Sequence, residues 1–172
     1  MAFSKENYLT EMKSMVDKAI EKLKAEKPEY VIYTVSIWTD PNAGSSSINF
    51  DSRQNSIHEV QQSNAFDKEE YEDLIEEGDL EGAELFKPET WIQRNCNPAN
   101  FELRDFEEVT HADFPINWEY QKGGKCWSQL QPALTEIGNY TFNKIQEMQM
   151  DPDFELAINS KKDWYDKIWK LA

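Results

Sequence analysis

The sequence has few of the features that mark secreted, membrane-bound or metal-binding proteins. It contains two cysteines, Cys96 and Cys126, without the paired spacing of zinc sites. Its longest apolar stretch, Tyr30–Trp38, is interrupted by Thr34 and Ser36, and it is far shorter than the roughly 20 residues that span a bilayer. The N-terminus lacks the apolar segment of a signal peptide. We therefore expect a cytoplasmic protein with reduced thiols.

Aliphatic residues are also scarce. Leu, Ile, Val and Phe together account for 36 of the 172 residues, and the net charge is −15. That combination lies near the composition of disordered chains. Six Trp and seven Tyr favour a folded protein instead, because aromatic side chains bury large areas and build a core where aliphatic ones are few. The length predicts one domain over residues 1–172.

Basic residues are nearly absent from the middle of the chain. Residues 28–119 hold five Lys or Arg against twenty-one acids, whereas residues 1–27 and 120–172 are close to neutral. A surface with this charge repels nucleic acid and anionic membranes and attracts cations or a basic protein. We therefore predict a basic protein as partner, with no nucleic acid and no membrane.

The hydrophobic spacing predicts the elements of the first third of the chain. Residues 4–26 have helical spacing of apolar residues, with Ser4 as N-cap and Pro28 after the end. A hairpin follows over Tyr30–Phe50, and its first strand is apolar on both faces, which is typical of a central strand.

The rest of the chain alternates between predicted helices and strands. We expect a helix around Asn55–Asn64, a strand over residues 100–111, a long helix over 125–150, a short strand over 154–159 and a terminal helix over 161–172. These elements predict an α+β fold. It is a single domain with a central, mainly antiparallel sheet, against which N-terminal, middle and C-terminal helices pack.

The segment "DKEEYEDLIEEGDLEGAE", residues 67–84, carries ten carboxylic acids and one base, Lys68. Asp67 is suited to cap a helix here, and Gly78 is suited to end it. Tyr71, Leu74 and Ile75 form a narrow apolar stripe that predicts docking to the core, with the carboxylates facing outward. Acids four residues apart on this helix repel one another, and each such pair destabilises the helix by roughly a few tenths of a kcal/mol.

Three interpretations of the segment compete: a solvated helix face, a cation site, or a docking surface for a basic partner. Carboxylates on a straight helix diverge, whereas calcium requires converging ligands, so docking is favoured over metal binding. Trp91 lies in the same acidic third and has the character of an exposed interface anchor, whereas the other five tryptophans are expected in the core. The candidate partner-binding residues are Asp67, Glu69, Glu70, Glu72, Asp73, Glu76, Glu77, Asp79, Glu81 and Trp91.

No catalytic, metal or cofactor site is predicted. In "KGGKCW", Gly124 and Lys125 would be the Gly-Lys pair of a phosphate loop. Such a loop needs Gly five positions before this pair and Ser or Thr after the Lys, but the chain has Glu119 and Cys126 there. "DPDFELAINSKK" has Leu156 and Lys162 where a calcium loop needs Gly and Glu. The two histidines, His58 and His111, lie in no catalytic motif, and thirty-three acids make any carboxylate pair uninformative.

The stretch "EYVIYTVSIWTDPNAGSSSINFDSRQN", from Glu29 to Asn55, resembles small bacterial families in which an N-terminal helix leads into such a hairpin. These families include immunity proteins of polymorphic toxin systems. The resemblance implies a cytoplasmic, acidic, non-enzymatic protein that inhibits a toxin by binding it, and it supplies no functional residues.

Two alternatives to this binding protein stay open. One is a small enzyme or ligand-binding domain with its pocket beside the sheet, in which the carboxylates only keep the chain soluble. The other is an α+β protein whose acids have no role beyond solubility.

Overall fold

A five-stranded sheet forms the framework of the fold in the computed structural model, which describes residues 2–172. Its strands are β1 (Ile32–Asp40), β2 (Ser45–Asp51), β3 (Leu103–Thr110), β4 (Met150–Ile158) and β5 (Lys167–Lys170). The strand order is β3-β2-β1-β4-β5; β1 and β4 are parallel and every other neighbouring pair is antiparallel. The predicted hairpin and the central position of β1 are therefore confirmed.

The helices are α1 (Lys5–Glu26), α2 (Arg53–Glu77), α3 (Leu80–Ala83) and α4 (Trp127–Ile145), with 3₁₀ turns at Pro88–Thr90, Pro98–Asn100 and Trp118–Gly123. The α+β fold class with a mainly antiparallel sheet is thus confirmed. In the part of the chain that the structure describes, no helix has the length and apolarity needed to cross a membrane.

The chain divides into two compact units. The first, here called the sheet unit, comprises the chain up to Arg53 together with residues 97–172. The second, here called the acidic unit, comprises Gln54–Cys96. It carries twelve acids against three bases and so holds most of the charge imbalance. That residues 1–172 form one domain stays a prediction.

The core of the sheet unit lies between the sheet and the two helices α1 and α4. Val35 pairs with Phe50 and Ile37 with Ile48, and all four side chains belong to this core. The alternate residues of the same strands point to the other face, because successive strand side chains alternate, and apart from Trp38 they are mostly polar. Ser36 pairs there with Asn49, and both are buried.

Two predicted elements are wrong. Residues 161–172 contain strand β5 and no helix: Trp169 pairs with Leu156 of β4, since the edge of β4 offers unpaired backbone groups. The helix predicted to start at Asp67 is continuous from Arg53, because no Gly or Pro interrupts the chain before Gly78. Gly78 does end it, with φ of 81°.

Gly138 of α4 allows β5 to pack closely. A Cβ atom built on Gly138 would lie 2.2 Å from Cη2 of Trp169, whose Nε1 donates to Oδ1 of Asn139 at 2.9 Å. The absent side chain therefore provides the space for the Trp169 ring.

We expect Gly138→Ala to displace Trp169 and lower the free energy of unfolding by about 1–3 kcal/mol, as overpacking does. Denaturant unfolding followed by tryptophan fluorescence measures the change. Asn143→Ala, on an exposed position of the same helix, is the control and should change stability by less than about 0.5 kcal/mol. Equal stability of Gly138→Ala and the native protein would contradict the packing role.

Candidate functional site

The predicted acidic residues lie on α2, α3 and the turn between them. Asp67 and Glu70 are half-buried, and the others are exposed: Glu69, Glu72, Asp73, Glu76, Glu77, Asp79 and Glu81. The apolar stripe predicted to dock this helix is not buried, because Tyr71 and Leu74 are half-buried and Ile75 is 42% exposed. The stripe extends over only about one turn of the helix, which is too short to give α2 a buried face.

Two of these residues have a local structural role. Asp79 caps α3, where its Oδ1 accepts a hydrogen bond from the backbone N–H of Gly82 at 2.9 Å. Lys68 lies 3.8 Å from Glu72, one turn further along α2, at the distance of a weak, exposed ion pair. The exposed carboxylates of Glu69, Asp73 and Glu76 are oriented to the solvent side of the same helix.

Trp91 is less exposed than an interface anchor was predicted to be. Its ring is half-buried, and its Nε1 donates to the carbonyl oxygen of Phe86 at 3.0 Å. Part of its surface stays accessible, but the N–H group is already used within the acidic unit.

Large apolar side chains are exposed among the acids, which sequence reasoning missed. Leu85 is 73% exposed, Leu80 65% and Phe66 57%. Phe66 and Phe86 are 6.4 Å apart between ring centroids. These positions follow no helical period, so no periodicity in the sequence distinguishes them from core residues.

The acidic unit does not gather its carboxylates around a point. Among the residues that the structure describes, no group of three or more His, Cys, Asp or Glu side chains is arranged to hold a metal ion.

Two cavities lie beside the sheet, in the sheet unit, and Trp38 and Trp164 line both. The first has a volume of about 450 Å³ and is bounded by the ends of β1 and β4 and the start of α4. The second has about 460 Å³ and is bounded by β2, β3 and residues 97–99. We call the two together the tryptophan trough. Both volumes are within the range of small-molecule sites.

The tryptophans were expected in the core, and only some are there. Trp118 and Trp127 are buried, as predicted, and Trp38 and Trp169 are half-buried. Trp164 is 47% exposed, which corrects the prediction. The predicted terminal helix would have turned Trp164 toward the core, whereas the turn before β5 leaves it at the rim of the trough.

A chain of hydrogen bonds crosses the core between the sheet and α1. Tyr8 Oη lies 2.8 Å from Thr39 Oγ1, which lies 2.7 Å from Ser46 Oγ. Ser46 Oγ lies 2.8 Å from His111 Nε2, and His111 Nδ1 lies 2.5 Å from Glu11 Oε2. Since a carboxylate only accepts, Nδ1 carries the imidazole proton and Nε2 accepts from Ser46. Each hydroxyl then donates to the next group.

Burial governs the ionisation of this chain, here called the buried relay. Desolvation lowers the pKa of His111 below its ordinary value of 6.5, against the opposing effect of Glu11. Desolvation also raises the pKa of Tyr8 far above its ordinary range. Both shifts favour the neutral forms.

Ser46, His111 and Glu11 have the order of a Ser-His-acid triad, but the surroundings exclude nucleophilic catalysis. Ser46 is 2% exposed and His111 3%, so no substrate carbonyl reaches the hydroxyl. Ser46 also already bonds both His111 and Thr39. The relay is therefore a structural polar network, and nothing in the sequence connects residues 11, 46 and 111.

Comparison of the chain with protein-family models, with curated proteins and with solved structures finds no match. The candidate site therefore rests on geometry alone.

Proposed function

We propose that the chain is a non-enzymatic binding protein whose acidic unit docks on a basic protein. The observation that carries the proposal is that exposed carboxylates occur in the acidic unit together with exposed Phe66, Leu80 and Leu85. Solubility alone accounts for the acids but not for large apolar side chains left in water. Interfaces combine the two kinds of group: charge steers the encounter and apolar anchors supply affinity.

The partner that fits this surface is a protein with a basic patch beside an apolar one. An immunity protein that neutralises a basic toxin, for example a nuclease, has this character. Its carboxylates would take the place of the phosphates of the toxin's substrate. A cytoplasmic location, which the small number of cysteines favours, suits such a role.

Affinity capture tests the proposal. The tagged chain is expressed in its host, purified at low salt and eluted by raising the salt concentration. We expect a stoichiometric basic protein in the eluate, because surface charge attraction weakens as salt screens it.

The matched variants make the capture specific. Reversal of Glu69, Asp73, Glu76 and Glu77 to Lys changes the net charge from −15 to −7 and should abolish capture. Reversal of four exposed acids of the sheet unit gives the same net charge and should leave capture intact; these are Glu26, Glu29, Glu108 and Asp166. Equal capture by both variants, or no stoichiometric protein at all, would refute the proposal.

One observation favours the alternative of a ligand-binding domain with its pocket beside the sheet. The tryptophan trough lies in that position and is lined by residues outside the acidic unit. Docking and ligand binding therefore use different residues and are separable by mutation.

A further inference from the structure

We propose that the tryptophan trough binds a small organic anion that carries a flat ring. The inference is independent of the proposed docking function, because no residue of the acidic unit takes part in it. It rests on the position of the trough, on its aromatic walls and on the hydrogen bonding of the charged groups that line it.

The first cavity lies where two parallel strands end side by side. Crevices beyond the carboxyl ends of parallel strands are the usual ligand sites of such sheets. Asn159, which follows β4 and is 4% exposed, closes the end of this pair. Its Oδ1 accepts from the N–H of Thr39 and its Nδ2 donates to the Thr39 carbonyl oxygen, both at 2.9 Å. The floor of the cavity is therefore held by paired hydrogen bonds.

Tryptophan rings form the walls. The centroids of Trp38 and Trp164 are 6.4 Å apart, and the rings are inclined by 33°. Trp127 also lines the first cavity and is held in place, since its Nε1 donates to Glu119 Oε1 at 2.6 Å. Trp164 keeps 47% of its surface exposed. Such a ring favours stacking with a flat ligand ring, which removes both surfaces from water.

The carboxylates around the first cavity are engaged by the protein. Asp40 Oδ1 accepts from the N–H groups of Asn42 and Ala43 at 2.8 and 2.9 Å. The two oxygens of Glu119 accept from Trp127 and from the Asn42 amide. Asp163 also lines this cavity, and its Oδ1 accepts from the N–H of Tyr165 at 3.1 Å. These hydrogen bonds reduce the capacity of the three carboxylates to bind a cationic ligand.

The lysines of the same cavity keep donors available. Lys161 Nζ donates to the carbonyl oxygen of Gly123 at 2.8 Å and has two further N–H groups. Lys162 forms no ion pair with any residue that the structure describes, although the chain has 33 acids. Two cations without carboxylate partners, beside the exposed ring of Trp164, select an anion over a cation.

A third cation lines the second cavity. Arg104 Nε is 3.5 Å from Asp105 Oδ2, a long contact, and the Arg104 side chain is 62% exposed. Asp105 has φ of 47°, and Asn49 Oδ1 accepts from its N–H at 2.7 Å. Strained backbone of this kind persists where surrounding contacts impose it and is frequent beside ligand sites.

Two ligand sources share this chemistry: a nucleoside monophosphate and an aromatic carboxylate. The probes are adenosine 5′-monophosphate and indole-3-acetate, with uncharged adenosine as the control for the ring alone. Binding is measured by calorimetry, and its location by the NMR signals of the tryptophan indole N–H groups. We expect one of the two anions to bind and to shift the Trp38 and Trp164 signals, with adenosine weaker by about tenfold.

Variants locate the site. Trp164→Ala and the double variant Lys161→Gln, Lys162→Gln should each weaken binding by about tenfold or more. The double variant Lys18→Gln, Lys27→Gln removes the same charge from exposed positions of α1 and its C-cap and should bind as the native protein does. Trp164, Lys161 and Lys162 are exposed, so these variants should fold.

The possible binding results lead to different conclusions. Binding of the monophosphate alone assigns the site to phosphorylated nucleosides, and binding of the carboxylate alone assigns it to aromatic acids. Absence of any shift at Trp38 and Trp164 with either anion overturns the proposal. So does binding that Trp164→Ala leaves unchanged.

Discussion

Replacing His111 by Phe is expected to lower the free energy of unfolding by about 2–3 kcal/mol. The substitution keeps a ring against Phe114, whose centroid lies 4.5 Å from that of the imidazole, but removes both hydrogen bonds of the ring. Ser46 is then left buried without its acceptor, which costs more than the lost bond itself. Chemical denaturation at pH 7 measures the difference.

Tyr8→Phe is the control within the same buried relay. It removes only the hydroxyl at the end of the chain, and Thr39 still donates to Ser46, so we expect a loss of about 1 kcal/mol. A His111→Phe variant as stable as the native protein would show that the relay does not stabilise the core.

The same imidazole makes stability depend on pH. The pKa of His111 is lowered in the folded protein, so the unfolded chain binds more protons than the folded one as the pH falls. The contribution of His111 is therefore complete above its unfolded pKa, near 6.5, and is lost as the pH falls below that value. Between pH 7 and 5 the native protein should lose more stability than His111→Phe. Parallel profiles would contradict this linkage.

Reversing Glu69, Asp73, Glu76 and Glu77 to Lys is expected to slow association with the captured partner by about 10- to 100-fold at low salt. Long-range attraction by the exposed carboxylates raises the encounter rate, and charge reversal turns it into repulsion. Stability should change little, because all four side chains are exposed.

Stopped-flow association at several salt concentrations checks the result. The native rate should fall steeply with salt, and the variant rate should depend on salt weakly or in the opposite sense. The variant with Glu26, Glu29, Glu108 and Asp166 reversed should keep its rate within roughly threefold of the native one. Association that is insensitive both to salt and to the first variant would exclude steering by α2.

Much of the sheet unit was predictable because its signals are local. The alternation in Tyr30–Phe50 specifies a hairpin, and the cap at Ser4 marks the start of α1. The helical spacing of apolar residues over Trp127–Ile145 specifies α4 although Pro132 lies inside the helix, where proline is normally unfavourable. Each of these features depends on residues a few positions apart.

The errors concern interactions between distant residues. Strand β5 forms because β4 offers an edge, although the spacing of Trp164, Ile168 and Leu171 favours a helix. The relay joins Glu11 to His111, 100 positions apart. The trough brings together Trp38 and Trp164 in the same way. No pattern within one segment contains this information.

The acidic segment has some features that the sequence predicts and one that depends on tertiary contacts. Its charge and exposure follow from composition, and the structure places most of the predicted carboxylates on the surface. The packing of the segment does not follow from the sequence, since the predicted stripe of Tyr71, Leu74 and Ile75 is not buried. Periodicity identifies a candidate apolar face, but tertiary contacts decide whether that face is covered.

Amide hydrogen exchange of the complex with the captured partner tests the docking proposal most directly. The docking account predicts slower exchange on complex formation in peptides from Gln54–Cys96, strongest around residues 66–85, where the carboxylates and Phe66, Leu80 and Leu85 lie. Protection confined to the sheet unit, with residues 66–85 exchanging as fast as in the free protein, would contradict it.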